Sequence, residues 1–236
     1  LYQAADAHKQ LGIFGASVKI AMIMSMIMQA FRYAYEPFVF GKAKDKDSKE
    51  TYGQAMKYYI IFTLLAFLVV MGYMDILQNI IAKDYREGLK VVPVVMFGSI
   101  LTGVFFNLSF WYKLIDKTIW GAYLSGIGCI VIIGINVIFV PRYGYMACAW
   151  AGFMGNAVAV ILSYIAGQKY YPIRYPLKSI FVYVVITLFF FAGITWTNAH
   201  LATPLALVAN TVIILLFVGH IAYHDMPKGL LQKLKR

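Results

Sequence analysis

The sequence predicts an all-α, polytopic transmembrane helical bundle, and two observations carry that prediction. Hydrophobic residues make up 61% of the 236 residues and charged residues only 13%, whereas soluble globular domains contain about 45–50% apolar and about 25% charged residues. The apolar residues are also gathered into seven long segments separated by short polar stretches. The 21 basic and 10 acidic side chains cannot cover so much apolar surface, so a soluble fold is excluded.

Each apolar segment has about 19 residues or more, the length that a helix needs to cross about 30 Å of hydrocarbon. Membrane β-strands need only about 10 residues and alternate with period two, a pattern that these segments lack. The expected spans are residues 12–40, 57–74, 91–112, 119–140, 146–166, 179–197 and 204–223. They form one transmembrane domain over residues 1–236, which ends in a basic tail at 224–236.

The Lys and Arg residues are distributed unequally between the two sides of these spans. Fourteen lie on the side of the tail and five on the other side. Positive residues are enriched in cytoplasmic loops, so the C-terminus is expected in the cytoplasm and residue 1 outside. A start outside without a signal peptide predicts a missing N-terminal half of the same protein as a partner. The net charge of +11 is thus a topology signal, and nucleic acid is not an expected partner.

Four polar residues interrupt the first span: Lys19, Gln29, Arg32 and Glu36. An ionisable group at membrane depth costs about 2.5–3.5 kcal/mol on insertion scales and normally faces protein or a water-filled cavity. On a helix, Gln29, Arg32 and Glu36 fall within about 60° of one another, and Arg32 can pair with Glu36 four residues on. Lys19 points about 80–140° away from them and lies nearer the outer leaflet.

These charges allow two interpretations. In the structural one, Lys19 snorkels to the membrane surface, and Arg32 and Glu36 form an interfacial ion pair. In the functional one, Arg32 and Lys19 line a cavity for an anionic substrate, Arg32 gripping phosphate oxygens with its planar fork and Lys19 acting as a point charge. Glu36, the only carboxylate within the expected spans, then neutralises Arg32 or couples transport to an ion.

Other polar residues give weaker signals. Asn107, Asn136 and Asn156 lie in the third, fourth and fifth spans and are expected to form hydrogen bonds between helices, with sugar contact as the alternative. The four histidines and two cysteines show no metal-binding or disulfide spacing, and no phosphate-binding loop or nucleophile motif occurs. No catalytic residue, metal or cofactor is therefore expected.

A family resemblance rests on stretches that follow one another over roughly 170 residues. They are LGIFGASVKIA, QAFRYAYEPFVF, DYREGLKVVPVVMFG, NLSFWYKLIDKTIWGAYLSGIG and VPRYGYMACAWAGFMGNAVAVILSYIAGQKYYPIRYPLK. The chain resembles the Wzx-type O-antigen and capsular polysaccharide flippases of the multidrug/oligosaccharidyl-lipid/polysaccharide exporter superfamily.

The resemblance implies a two-lobe transporter of 12 or 14 helices that alternates between inward- and outward-facing states. This chain would supply the C-lobe, with Lys19, Arg32 and Glu36 on a helix facing the central cavity. The implied partners are the lipid bilayer and a polyprenyl-diphosphate-linked glycan. The implied role is the flipping of that glycan across the bacterial inner membrane during surface polysaccharide synthesis, including lipopolysaccharide O-antigen, driven by a proton or sodium gradient.

Several alternatives are weighed against a flippase. A seven-helix retinal protein needs a Lys within its last helix, which residues 204–223 lack. A glycosyltransferase, polymerase or ligase of the same pathway generally carries catalytic acids or arginines on a large outside loop. Here the outside loops are short, and only residues 75–90 hold such a cluster, with Asp84, Arg86 and Glu87. A lipid II flippase or a multidrug exporter of the same fold remains an alternative.

Overall fold

The computed structural model describes residues 4–42, 45 and 47–225. Regular secondary structure in these residues is entirely helical, which confirms the all-α fold class. Within this part of the chain, seven helical segments are long and apolar enough to cross a membrane. The helices are α1 (Ala4–Gly41), α2 (Ser48–Gly72), α3 (Met74–Leu77), α4 (Val92–Leu108), α5 (Phe110–Leu114), α6 (Ile119–Tyr143), α7 (Tyr145–Tyr170), α8 (Leu177–His200) and α9 (Thr203–Asp225). From residue 226 on, the expected tail lies outside the described residues.

The second span begins earlier than the sequence suggested. Helix α2 starts at Ser48, nine residues before the expected start at residue 57. The first turns of α2 are amphipathic and bury an apolar side, because Tyr52 and Met56 are 4% and 3% exposed. The Tyr52 hydroxyl also donates to the carbonyl of Val39 at 2.9 Å, which ties the start of α2 to the end of α1.

The third span is longer than expected and runs from Lys83 to Leu114, with changes of helical geometry along it. A 3-10 helix from Lys83 to Val91 leads into α4, which ends at Leu108 before the short helix α5. At the junction, the Ser109 hydroxyl donates to the carbonyl of Phe106 at 2.6 Å, so this side chain competes for a helical carbonyl. The three aromatic residues after Ser109 are all buried, although consecutive residues of one regular helix point in different directions.

Helix α4 lies between α1 and α7, and α6 packs on the far side of α7. Helices α8 and α9 pack against each other and against α2. The contact between α6 and α7 depends on small residues, because a Cβ on Gly128 would lie 3.1 Å from the carbonyl oxygen of Gly155. Close approach of helix backbones at small residues is the common packing mode of membrane helices.

Contacts between helix ends agree with a chain that crosses the bundle alternately in opposite directions. At one end, Lys113 contacts Glu36 and Lys117 lies 4.7 Å from the ring of Tyr170. At the other end, the Tyr73 hydroxyl lies 2.9 Å from that of Thr211. Residues that the sequence assigned to one side of the membrane therefore meet at one end of the bundle.

Candidate functional site

A cluster of three charges lies where α1 and α5 meet. The Nζ of Lys113 donates to Oε1 of Glu36 at 2.8 Å. The Nε of Arg32 lies 3.8 Å from Oε2 of Glu36, which is too long for a hydrogen bond and brings only the charges together. One carboxylate thus faces two cations, and the cluster retains a net positive charge.

The ring of Phe106 on α4 supports both cations. The guanidinium carbon of Arg32 lies 4.1 Å from the ring centroid, and the Nζ of Lys113 lies 4.8 Å from it. Cations within about 6 Å of an aromatic face are attracted by the ring quadrupole. Phe106 therefore holds the two positive groups next to each other although they repel, and it comes from a helix that neither of them belongs to.

A small cavity adjoins this cluster between α1, α2 and α4. Three side-chain atoms near it are buried and find no hydrogen-bond partner among the described protein atoms: Nε of Arg32, the hydroxyl of Tyr59 and Oδ1 of Asn107. The free volume of about 10 Å³ matches one water-sized sphere.

Helix α1 exposes a face of mixed polarity along most of its length. Lys19 and Gln29 both lie on this face, together with Met26 and Tyr33, which are 65% and 74% exposed. Lys19 is 13 residues from Arg32, about 20 Å along the helix. The structure therefore brings Arg32 and Glu36 together, and it leaves Lys19 and Gln29 on the exposed face beside them.

The exposed faces of other helices differ from that of α1. The exposed residues of α6 between Ile127 and Phe139 are all apolar, and so are those of α8 between Phe181 and Ala192. The same holds for α9 between Leu205 and Gly219. Such faces suit lipid chains. A Lys and a Gln within the span of α1 require protein or water around them instead.

The three asparagines have different surroundings. The amide of Asn156 on α7 donates to the carbonyl of Gly98 on α4 at 3.2 Å, a hydrogen bond between helices. The amide of Asn107 donates within its own helix, to the carbonyl of Gly103 at 3.0 Å. The Oδ1 of Asn136 is buried and finds no partner among the described protein atoms.

A second charged cluster was missed in the sequence. The Nζ of Lys57 and the hydroxyl of Tyr183 both donate to the carboxylate of Asp225. The side chains of Lys57 and Asp225 are each 11% exposed, because they are enclosed by the ends of α2, α8 and α9. Helix α9 extends two residues beyond the expected span, to Asp225, so a second carboxylate besides Glu36 takes part in an ion pair at a helix end.

A third polar contact lies at the opposite end of α9. The amide of Asn210, which is fully buried, donates to the carbonyl of Gly72 at 2.9 Å and to Oδ1 of Asn198 at 2.7 Å. The Thr197 hydroxyl donates to Oδ1 of Asn210 at 2.5 Å. These bonds join α2, α8 and α9 and satisfy a buried amide completely, which is a structural role.

The described residues show no metal-binding group. Between residues 4 and 225, omitting 43, 44 and 46, no three His, Cys, Asp or Glu side chains lie together as a metal site would require. The charged clusters consist of cations paired with single carboxylates. The cluster around Glu36 and the exposed face of α1 both carry excess positive charge. These two regions can therefore attract an anion.

Comparisons with known proteins identify a similar fold but assign the chain to no family. No family model matches the chain, and no curated protein matches it. One solved structure, described as "Lipid II flippase MurJ, inward closed conformation", superposes with a TM-score of 0.66 at 16% sequence identity. The superposition covers 88% of this chain and 47% of MurJ, so the chain spans about half the length of that protein. Seven apolar helices in this fold identify a multi-pass membrane protein.

Proposed function

We propose that this chain is the C-lobe of a flippase that moves a polyprenyl-diphosphate-linked oligosaccharide across the bacterial inner membrane during surface polysaccharide synthesis. The proposal makes the chain a transporter and not an enzyme. Its C-terminus is expected in the cytoplasm, because the Lys and Arg residues are enriched on that side.

The exposed face of α1 is the observation that carries this proposal. It holds Lys19 and Gln29 within a helix that is long and apolar enough to span a membrane, while the exposed faces of α6, α8 and α9 are apolar over their central turns. Polar groups at that depth face protein or a water-filled cavity. A cavity between this chain and a second lobe would cover the face.

The chemistry of the charges favours a diphosphate as the group that is recognised. Arg32 offers a planar fork of donors that matches phosphate oxygens, and Lys19 offers a point charge about 20 Å away along α1. Lys113 adds a third cation next to Arg32. Two positive regions at different depths would let the diphosphate pass from one to the other as it crosses the membrane.

Glu36 acts in this proposal as a charge partner. Its two oxygens face Lys113 and Arg32 separately, so it holds both cations in place and reduces their mutual repulsion. A carboxylate occupied in this way is a poor carrier of a transported proton, because protonation would leave two neighbouring cations without a counter-charge.

The test is charge removal in the protein that carries this chain. The double variant Lys19→Ala, Arg32→Ala is expected to abolish surface polysaccharide at an unchanged protein level. Lys19→Arg should retain more transport than Lys19→Ala, because the charge matters more than the donor geometry. The control variant is Lys83→Ala, Lys90→Ala, which removes two exposed cations outside α1. Normal surface polysaccharide from the α1 double variant would overturn the proposal.

Lipid II transport is the second candidate function, because the MurJ structure with a similar fold is described as a lipid II flippase. The same cations would serve a lipid-linked diphosphate in either case. The two candidates differ in phenotype. Cell lysis with intact surface polysaccharide, when the gene is depleted, would assign the chain to lipid II. A multidrug exporter is disfavoured by the excess of cations on α1, which would repel the cationic drugs that many exporters carry.

A further inference from the structure

An apolar groove separates α7 from α8, although these helices follow each other in the chain. Helix α7 packs against α4 and α6, whereas α8 packs against α2 and α9. The groove between them has a volume of about 660 Å³, within the range of about 300–1,000 Å³ that ligand sites occupy. It follows α4 from Pro93 to Leu108, which is about 22 Å of helix.

The walls of the groove are aliphatic or aromatic along its whole length. Ile161 of α7 and Leu188 of α8 line it from opposite sides and are 56% and 47% exposed. No residue lines both this groove and the small cavity beside Arg32. A long apolar groove on a membrane-spanning chain fits a hydrocarbon chain, because neither water nor a sugar would find hydrogen-bond partners there.

One end of the groove carries exposed cations. Tyr175 and Leu177 line this end, and their sequence neighbours Arg174 and Lys178 are both exposed. Arg174 belongs to the connection between α7 and α8, and Lys178 to the first turn of α8. The groove therefore combines an apolar body with a positively charged mouth.

The connection that carries Arg174 is held in place by three contacts. Ile173 is 3% exposed, and its carbonyl accepts from the amide of Gln168 at 2.7 Å. A Cβ on Gly53 would lie 2.6 Å from the carbonyl oxygen of Arg174, so α2 touches the connection directly. The guanidinium is thus presented from a fixed backbone.

We propose that the groove binds an anionic phospholipid of the surrounding membrane. One acyl chain lies between Ile161 and Leu188, and Arg174 and Lys178 bind the head-group phosphate. A net negative head group matches the two cations, whereas a zwitterionic one brings an ammonium group of its own. The Lys and Arg distribution predicts this end in the cytoplasmic leaflet, whose surface potential is negative where anionic lipids are present. A symmetric second copy would bring like charges to the same mouth.

The experiment is a lipid titration of the purified protein followed by native mass spectrometry. Phosphatidylglycerol and phosphatidylcholine with identical acyl chains are compared, and one phosphatidylglycerol per protein is expected to bind selectively. Each of Arg174→Gln and Lys178→Gln should lower the affinity for phosphatidylglycerol about fivefold. The affinity for phosphatidylcholine should stay unchanged. Lys83→Gln and Lys90→Gln are the matched charge controls.

Groove-filling variants test the apolar part of the site. Ile161→Trp and Leu188→Trp should lower the retention of both lipids, while Ile165→Trp and Val185→Trp, on the same helices but outside the groove lining, should not. All four substituted residues are exposed, so the fold should tolerate the changes, and thermal unfolding checks this. Equal retention of the two lipids, or insensitivity to all groove and mouth variants, would overturn the proposal. So would competitive displacement by a polyprenyl diphosphate, or a lipid-free dimer that protects the groove.

Discussion

The ammonium of Lys113 donates to the carboxylate of Glu36 at 2.8 Å, across 77 positions of sequence. This contact joins the C-terminal end of α1 to α5, the short helix that follows Ser109. It also brings Lys113 next to Arg32, since both lie against the ring of Phe106. The positive region proposed to meet the substrate is therefore built from two segments, and a change in either one should alter it.

Replacement of Lys113 by Gln should impair transport more than it lowers stability. Lys113 and Glu36 are 25% and 32% exposed in their side chains, so loss of the pair should cost only about 1 kcal/mol. Adding Glu36→Gln should lower stability further, because it removes the carboxylate that also faces Arg32, and should not recover transport. Surface polysaccharide and the thermal unfolding midpoint are the two measurements. Lys117→Gln, in the same connection but exposed, is the control, and an equal transport defect there would contradict the expectation.

The Asp225 cluster should behave in the opposite way, with a large effect on stability. Asp225→Asn leaves Lys57 with a buried charge and no partner, which typically costs about 3–5 kcal/mol. Tyr183→Phe removes one hydrogen bond to a charged group and should cost about 1.5–3 kcal/mol. The double variant Lys57→Met, Asp225→Leu should regain most of the loss, because apolar replacement of a buried pair is often neutral. Thermal unfolding in detergent measures each step.

A matched control for that series is Glu50→Gln, which neutralises an exposed carboxylate in the first turn of α2 and should stay within about 0.5 kcal/mol of the parent. If Asp225→Asn were as mild as Glu50→Gln, the cluster would not hold the ends of α2, α8 and α9 together.

Reporter fusions should reveal the orientation in the membrane. Fusions after Lys46, Lys117 and Lys169 are expected to report the cytoplasm, and fusions after Asn79 and Asn198 the periplasm, because positive residues are enriched on the first side. Lys46 lies outside the described residues. Lys117 lies 4.7 Å from the ring of Tyr170, so fusions after Lys117 and Lys169 must agree with each other. Opposite signals from those two would contradict the fold itself.

The spans could be predicted from sequence because each is long and apolar enough to cross a bilayer by itself. The start of α2 could not, since its first turns are polar on one side, and hydropathy averages over both sides. The buried side carries Tyr52 and Met56, whose burial depends on α1 and on the connection after α7. Only tertiary packing reveals that this polar stretch is helical.

The charged sites were predicted in part. The pairing of Arg32 with Glu36 follows from helical spacing, because residues four apart share a face. The participation of Lys113 does not, since it depends on a contact between distant segments. The same is true of Asp225, which the sequence assigned to a polar tail and which becomes buried through Lys57 and Tyr183. Periodicity within one helix carries no information about such partners.

Two helical glycines with opposite surroundings allow a direct test of the packing beside Arg32. A Cβ on Gly103 would overlap the hydroxyl of Tyr59, whereas a Cβ on Gly152 would meet nothing within 4 Å. Ala is favoured over Gly in a helix by about 1 kcal/mol, so Gly152→Ala should hold or raise the unfolding midpoint. Gly103→Ala should lower it, by about 1–3 kcal/mol in stability, because the added methyl group has no space.

The hydroxyl of Tyr59 can be removed to measure its share of the clash with a methyl group at position 103. Tyr59→Phe alone should be neutral or slightly stabilising, because this buried hydroxyl finds no partner among the described protein atoms and costs desolvation energy. In the Tyr59→Phe background, Gly103→Ala should be milder. It should not become harmless, since the ring carbon Cζ of residue 59 would still overlap the new methyl group and Met28 Cγ would lie 3.1 Å from it. Thermal unfolding of the four variants forms a double-mutant cycle. A penalty for Gly103→Ala that is the same in both backgrounds would mean that the Tyr59 hydroxyl does not contribute to the clash.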